Sequence, residues 1–450
     1  MNNTIQNNMK VKPNYKTTIK TQDKLYEMVY NKTTNKTEYH GIDNITGKLE
    51  LFLEEVEVGG IKYKPLPVTH TLVEKNIVRF ASHPLPYNSD EEILSEIRTF
   101  IHKYLEITET FEEIASYYVM FTWIHDKFNE VPYLRAIGDF GSGKSRFLET
   151  IGSLCYKPIF TGGATSASPI FRILNEVGGT LIIDEADFRV SDTTADIVKI
   201  LNSGYQRGIS VLKTEGKGVY EVKAYDVYGP KIVATRDQFQ DKALESRFFV
   251  EEMGRSKLRD DIPRNLDETF HEEAEMIKNK LLMWRLKNYF KDFKIKNKII
   301  EGVHPRLNQI LLPILTIVDS QEVKDRLEVF IRKYNSELVE DRGLTWESEI
   351  VFAILKIEHL GMQNILTVKE ITAEVNRDIE AGEDTLQARK IGWYLRSKLQ
   401  LKTNKTRRGY ELDIKSNRSR LDFWKERFGI TDKEIKGEHV NDVNVVNVIL

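Results

Sequence analysis

Cysteine is almost absent from this chain of 450 residues: Cys155 stands alone. One thiol cannot form an internal disulfide, so no disulfide framework is expected and a reducing, cytoplasmic setting suits the chain. Histidine is sparse, nine residues scattered without the spacing of a zinc site. Long apolar runs are missing too. The best candidate, Ile310 to Val318, is interrupted by Pro313 and is about half of what a bilayer needs, so no membrane span is expected. The stretch MNNTIQNNMKVKPNYKTT has no apolar core of the kind a signal peptide carries. Net charge is only −2, so any nucleic-acid surface has to be local. What remains, 40% hydrophobic and 30% charged residues, is an ordinary globular composition. The length suffices for two or three domains.

The pattern changes along the chain. Residues 1 to about 24 are rich in Asn, Thr and Lys and read as disordered. From 25 to 88, short alternating runs punctuated by Gly41, Gly47 and Gly59-Gly60 predict a small antiparallel β-module. Residues 89–130 turn to helical spacing, with a helix start between Thr108 and Glu112. Residues 131–253 alternate short apolar strands with helical segments, the pattern of a parallel α/β sheet. Strands are expected at 133–137, 158–161, 180–183, 230–235 and 248–252. A charged helical block spans 254–340, a small domain 341–415, and a helix with a flexible tail 416–450.

The chemistry concentrates in the α/β block. GDFGSGKS fits the phosphate-loop spacing, with Gly138, Gly141, Ser142 and Gly143 turning backbone N–H groups inward. Lys144 would reach the β- and γ-phosphates, and the Ser145 hydroxyl would bind Mg²⁺. The strand before and the helix after put a positive helix dipole at the anion. Further on, GGTLIIDEAD ends a buried strand in Asp184 and Glu185, and such strand ends fall in the ligand crevice of a parallel sheet. Asp184 would hold Mg²⁺, and Glu185 would polarise the attacking water. Thr235 ends the next strand, where a hydroxyl could also orient that water.

These segments resemble an AAA+ P-loop ATPase, with Walker A at Gly138–Ser145, Walker B at Leu181–Glu185 and sensor 1 at Thr235. ALESRF is similar to the arginine-finger segment of minichromosome-maintenance helicases. The fuller resemblance is to poorly characterised phage, plasmid and mobile-element ATPases found beside primase-polymerase domains. It is carried by GSGKSRFLETI, SASPIFRIL, TLIIDEAD, ILNSGYQRG, YGPKIVAT and ALESRFFVEEM. Thr235 departs from the Asn usual at sensor 1. The resemblance implies a core with a five-stranded parallel sheet, a helical lid over 254–340, and a hexameric ring. It also implies that Arg247 reaches a neighbour's nucleotide and that Arg306 is a candidate second sensor. Arg172 and Arg207 belong to the same pattern without a derivable role.

Two further segments bear on a partner. Alternating runs at 209–213 and 219–225 flank TEGKG and predict a β-hairpin, with Lys217 at its tip and Lys213 at its shoulder. The resembling helicases carry a pore hairpin at this place, where lysines could grip the phosphates of a single DNA strand. Toward the C-terminus, three helical segments and a two-stranded run with a basic turn follow the winged-helix plan. Leu386 to Arg408 holds eight basic residues and no acid. Arg396, Lys405, Arg407 and Arg408 would meet duplex phosphates, with Gln387, Arg389 and Lys390 near the recognition-helix N-terminus. Three functions stay open: an ATP-driven DNA motor, an ATP-switched initiator or regulator, and an ATPase that remodels protein partners.

Overall fold

The computed structural model describes residues 13–162, 165–184, 192–216, 221–239, 241–254, 258–293, 300–303, 305–318, 320–343, 346–361, 364–377 and 385–436. The chain divides into two compact units, residues up to Glu328 and residues from Val329. Among the described residues no helix is long and apolar enough to cross a membrane.

The first unit opens with a four-stranded antiparallel meander, β1 (Thr18–Lys20), β2 (Lys24–Asn31), β3 (Lys36–Asp43) and β4 (Leu49–Leu53). A smaller three-stranded sheet joins Asn14–Tyr15, Val56–Val58 and Ile61–Lys64. The disorder expected up to about residue 24 is corrected here from residue 13 onward. Ile19 and Thr17 are buried, and β1 pairs with β2. Polar composition concealed this because β-branched Thr and one well-placed Ile suffice for an edge strand whose other face meets solvent.

Two helices follow, α1 (Asp90–Tyr104) and α2 (Glu109–Thr122). Ser89 and Thr108 cap them, accepting from Glu92 and Phe111 N–H. Helix α2 is buried along nearly its whole length, and its Tyr118 hydroxyl donates to the Lys231 carbonyl at 3.0 Å.

The centre is a five-stranded, all-parallel sheet. In chain order its elements are β5 (Tyr133–Ile137), α3 (Lys144–Gly152), β6 (Ile159–Thr161), α4 (Ala167–Val177), β7 (Leu181–Ile183), α5 (Asp192–Ser203), the hairpin β8 (Ser210–Glu215) and β9 (Glu221–Asp226), β10 (Lys231–Thr235) and β11 (Phe248–Glu252). In space the order is β11-β5-β10-β7-β6. Every expected strand is present within a residue or so. These strands are near-continuous apolar runs because helices cover them, α3 packing on β5, β10 and β7. Three helices close the unit: α6 (Glu268–Asn288), α7 (Pro305–Ile317) and the first part of α8 (Gln321–Gly343).

One buried ionic cluster ties the first meander to this core. Glu27 of β2 accepts from Lys157 at 2.8 Å and from Arg285 Nε of α6 at 2.8 Å. Arg285 also meets Asp126 at 2.9 Å. Burial pushes the Glu27 carboxyl up, but Lys157 and Arg285 outweigh it and hold the pKa below the usual range. Burial pulls Lys157 down to about 8 against the attraction of Glu27.

The second unit contains α9 (Trp346–His359), β12 (Ile365–Thr367), α10 (Val368–Val375), α11 (Ala388–Trp393), β13 (Thr403–Thr406), β14 (Gly409–Asp413) and α12 (Arg418–Arg427). Strand β14 lies between β12 and β13, and all neighbours run antiparallel. Thr367 and Glu370 form a reciprocal capping box at the start of α10. A π-turn over Tyr394–Lys398 continues α11. Ile350, Ile354, Ile371, Ile391, Leu395 and Leu412 are among the residues of one apolar core.

Candidate nucleotide site

The phosphate loop begins where β5 ends, at the carboxyl edge of the sheet. Gly138 N–H donates to the Thr235 carbonyl at 3.3 Å, which holds the loop beside β10. A Cβ on Gly138 would lie 2.8 Å from the Met253 carbonyl oxygen, so the chain tolerates no side chain there. Gly141 and Gly143 turn the loop with φ of +77° and +95°. Gly143 then caps α3 without a side-chain bond, so the first N–H groups of that helix face the loop as an anion receptor. Lys144 donates through Nζ to the carbonyls of Gly138 and Asp139, both at 2.7 Å.

A cleft of about 280 Å³ opens over this loop. Lys144, Ser145, Arg146, Asp184 and Arg236 are among the residues that line it. Asp184 follows β7, and its N–H donates to the Thr161 carbonyl at 3.0 Å, which anchors it at the sheet edge. Thr235 ends β10, the strand between β5 and β7. Among the described residues its buried hydroxyl has no hydrogen-bond partner, and neither does the buried hydroxyl of Ser142. Orphaned buried hydroxyls cost free energy unless a ligand or water meets them. The loop amides, a lysine, a serine hydroxyl and a carboxylate are the donor set that suits a nucleotide triphosphate and Mg²⁺, and the residues present fit both.

The expected site residues separate into groups. Gly138, Gly141, Ser142, Gly143, Lys144, Ser145, Asp184 and Thr235 converge on one edge of the sheet. Glu185 and Lys217 lie outside the described residues, as does the side chain of Arg306, whose backbone is in α7. Arg247 is elsewhere. It is buried, donates to the Asn202 carbonyl at 3.3 Å and to the Asn202 side chain, and stacks 4.0 Å from the Tyr205 ring. Its guanidinium is therefore engaged inside its own subunit.

The hairpin forms as expected, in register from Ser210↔Asp226 to Glu215↔Glu221. Lys213 does not project as a shoulder cation. It pairs with Asp196 at 3.1 Å and lies 5.4 Å from the Phe171 ring, because strand alternation turns it toward α4 and α5.

In the second unit Gln387 precedes α11, and Gln387, Arg389, Lys390, Arg396, Lys405, Arg407 and Arg408 are all exposed. Arg396 lies 4.9 Å from the ring of Tyr410 on β14, which joins the helix side of this basic surface to the strand side. Trp393 stands 46% exposed within it, with Lys398 5.6 Å from its ring.

Sequence reasoning missed three residues. Arg236 carried only its adjacency to Thr235 as a signal. Arg146 follows the loop serine and donates to the Pro263 carbonyl at 2.7 Å and the Tyr104 carbonyl at 3.4 Å, bracing α3. Trp393 was visible only as an aromatic inside a basic run.

No protein-family model matches the chain, and no curated protein matches it. Among solved structures it is similar to the apo C-terminal region (305–718) of NrS-1, at 11% identity, covering 86% of this chain and 96% of that one with a TM-score of 0.37. It is similar to JCV helicase at 14% identity, covering 55% and 63% with a TM-score of 0.26. A full-length MCM homologue from Methanopyrus kandleri matches at 10% identity, covering 79% and 70% with a TM-score of 0.31.

Proposed function

We propose that the chain is an ATP-hydrolysing nucleic-acid motor of the AAA+ type, a ring-forming DNA helicase of a replicon or mobile element working in the cytoplasm. The observation that carries this reading is the convergence of the phosphate loop, Asp184 and Thr235 on three adjacent strand ends. A structural glycine turn needs none of the last two.

In this reading the loop amides and Lys144 bind the phosphates, and Ser145 and Asp184 hold Mg²⁺. When bound, Mg²⁺ supplies charge neutralisation at the β- and γ-phosphates. Glu185 takes the proton of the attacking water as general base, and Thr235 orients that water through its hydroxyl. Helices α6 to α8 act as a lid, with Arg306 as second sensor. Neighbouring subunits of a hexamer contribute Arg247, which then has to exchange Asn202 and Tyr205 for the partner's nucleotide. Lys217 at the hairpin tip grips a single strand in the pore. The second unit is a winged helix whose basic surface meets duplex DNA.

The test is steady-state ATP hydrolysis with and without single-stranded DNA, with Glu185→Gln as the inactive control. Stimulation that Glu185→Gln abolishes and Lys217→Ala uncouples is expected. Hydrolysis indifferent to nucleic acid would sink the motor reading in favour of protein remodelling. A second reading, an ATP-switched initiator, is favoured by the exposed basic surface around α11. It predicts strong sequence preference on duplex DNA and slow turnover.

A further inference from the structure

Arg236 has no role in the mechanism above, yet topology places it in the cleft. Strand β10 runs between β5 and β7, with Thr235 paired to Ile137 and Val233 paired to Ile183. The phosphate loop follows Ile137 and Asp184 follows Ile183. Whatever follows Thr235 must therefore emerge between them. That residue is Arg236, and it lines the same cleft as Lys144, Ser145 and Asp184.

Arg236 is exposed to the cleft. A guanidinium presents a planar fork of donors that matches phosphoryl oxygens in pairs, and it keeps its proton at any working pH.

We propose that Arg236 is a cis-acting catalytic residue that contacts the terminal phosphoryl group of the nucleotide bound by its own subunit, and so distinguishes a nucleoside triphosphate from a diphosphate. The proposal rests on the nucleotide reading of the cleft given above. In hydrolysis a water oxygen bonds to the terminal phosphorus, the bond from that phosphorus to the bridging oxygen breaks, and ADP and inorganic phosphate leave. Arg236 transfers no proton. It donates hydrogen bonds to the oxygens on which charge accumulates, the place where such donors are most effective.

The experiment uses the full chain in a Glu185→Gln background, so that titrated nucleotide is not consumed. Arg236→Ala should weaken MgATP binding roughly ten- to a hundred-fold while MgADP binding stays within about two-fold. Retained MgADP binding shows that the loop is intact, and Arg236→Lys should recover part of the loss. Equal losses for both nucleotides, or no loss for either, would overturn the proposal. Position in cis is read from hydrolysis by mixed subunits. Arg236→Ala and Lys144→Ala subunits, both with Glu185 intact, should remain inactive together, since every site then carries one lesion. Restored hydrolysis would mean that Arg236 serves a neighbour, which overturns the cis assignment. A parent chain that binds MgATP without hydrolysing it defeats the motor reading, while the ATP-to-ADP comparison still judges Arg236. A chain that binds neither nucleotide defeats both.

Discussion

Replacing Glu27 by Gln tests what anchors the N-terminal meander to the nucleotide-binding core. The change is nearly isosteric, so it removes charge without opening a cavity. Glu27 is 1% exposed and accepts from Lys157 and Arg285, each at 2.8 Å, from Tyr156 at 2.9 Å and from Thr18 at 2.9 Å. Arg285 retains Asp126 after the change, but among the described residues Lys157 pairs with no other carboxylate. Breaking one partner of a buried pair leaves an uncompensated buried charge, and the expected loss is about 3–5 kcal/mol at pH 7. The sign with pH follows from Lys157. Its folded pKa is depressed to about 8 beside Glu27 and falls further without it. Below about pH 8 the wild-type fold therefore keeps a protonated Lys157 that the variant cannot hold as well. The deficit of the variant should shrink as pH rises through about 8. Urea titrations of wild type and Glu27→Gln at pH 7 and 9.5, followed by circular dichroism, measure both quantities. Adding Lys157→Met should recover part of the loss, since a methionine of similar volume removes the orphaned ammonium. A loss under about 1 kcal/mol at pH 7, or no recovery in the double variant, would show that charge pairing does not hold this junction.

Three further outcomes are expected. His125 is buried and its pKa is lowered to about 4, by burial first and against the attraction of Asp126, while Arg285 and Lys20 add to the lowering. Stability from keeping it neutral is complete above about pH 6.5 and is lost as pH falls through 4, a difference of about 3 kcal/mol that His125→Asn should not show in acid denaturant titrations. Gly138→Ala forces a Cβ to within 2.8 Å of the Met253 carbonyl oxygen, so the loop must shift. Nucleotide affinity measured by calorimetry should fall about ten-fold or more with a stability loss of only about 1–3 kcal/mol, and unchanged affinity would mean that the loop position is not what binds. Trp393→Ala should weaken duplex DNA binding with an unaltered salt dependence, whereas Arg407→Ala should lower the salt slope by about 0.9. Unchanged duplex affinity for Trp393→Ala would place Trp393 outside the contact surface.

Local signals were legible wherever the physics is local. The five core strands announce themselves because strands covered on both faces have to be continuous apolar runs. The phosphate loop shows because successive inward N–H groups require glycine at fixed spacing. Thr367 and Glu370 show because a capping box is a contact within one helical turn. The strand character of 13–20 was not legible, since a polar edge strand depends on what lies beneath it.

The sequence by itself determined the segments, the phosphate loop, the acidic strand end and the basic run from Leu386 to Arg408, because each depends on residue type at short spacing. Tertiary structure alone decided the strand order β11-β5-β10-β7-β6. That order brings Thr235 and Arg236 between the phosphate loop and Asp184, although Thr235 lies 91 positions after Lys144. It also decided which cations are committed within the protein. Arg247 is spent on Asn202, Lys213 on Asp196 and Arg285 on Glu27 and Asp126. Partners so distant along the chain leave no periodicity to read, because pairing of charges depends on where packing sets them and not on their spacing in sequence.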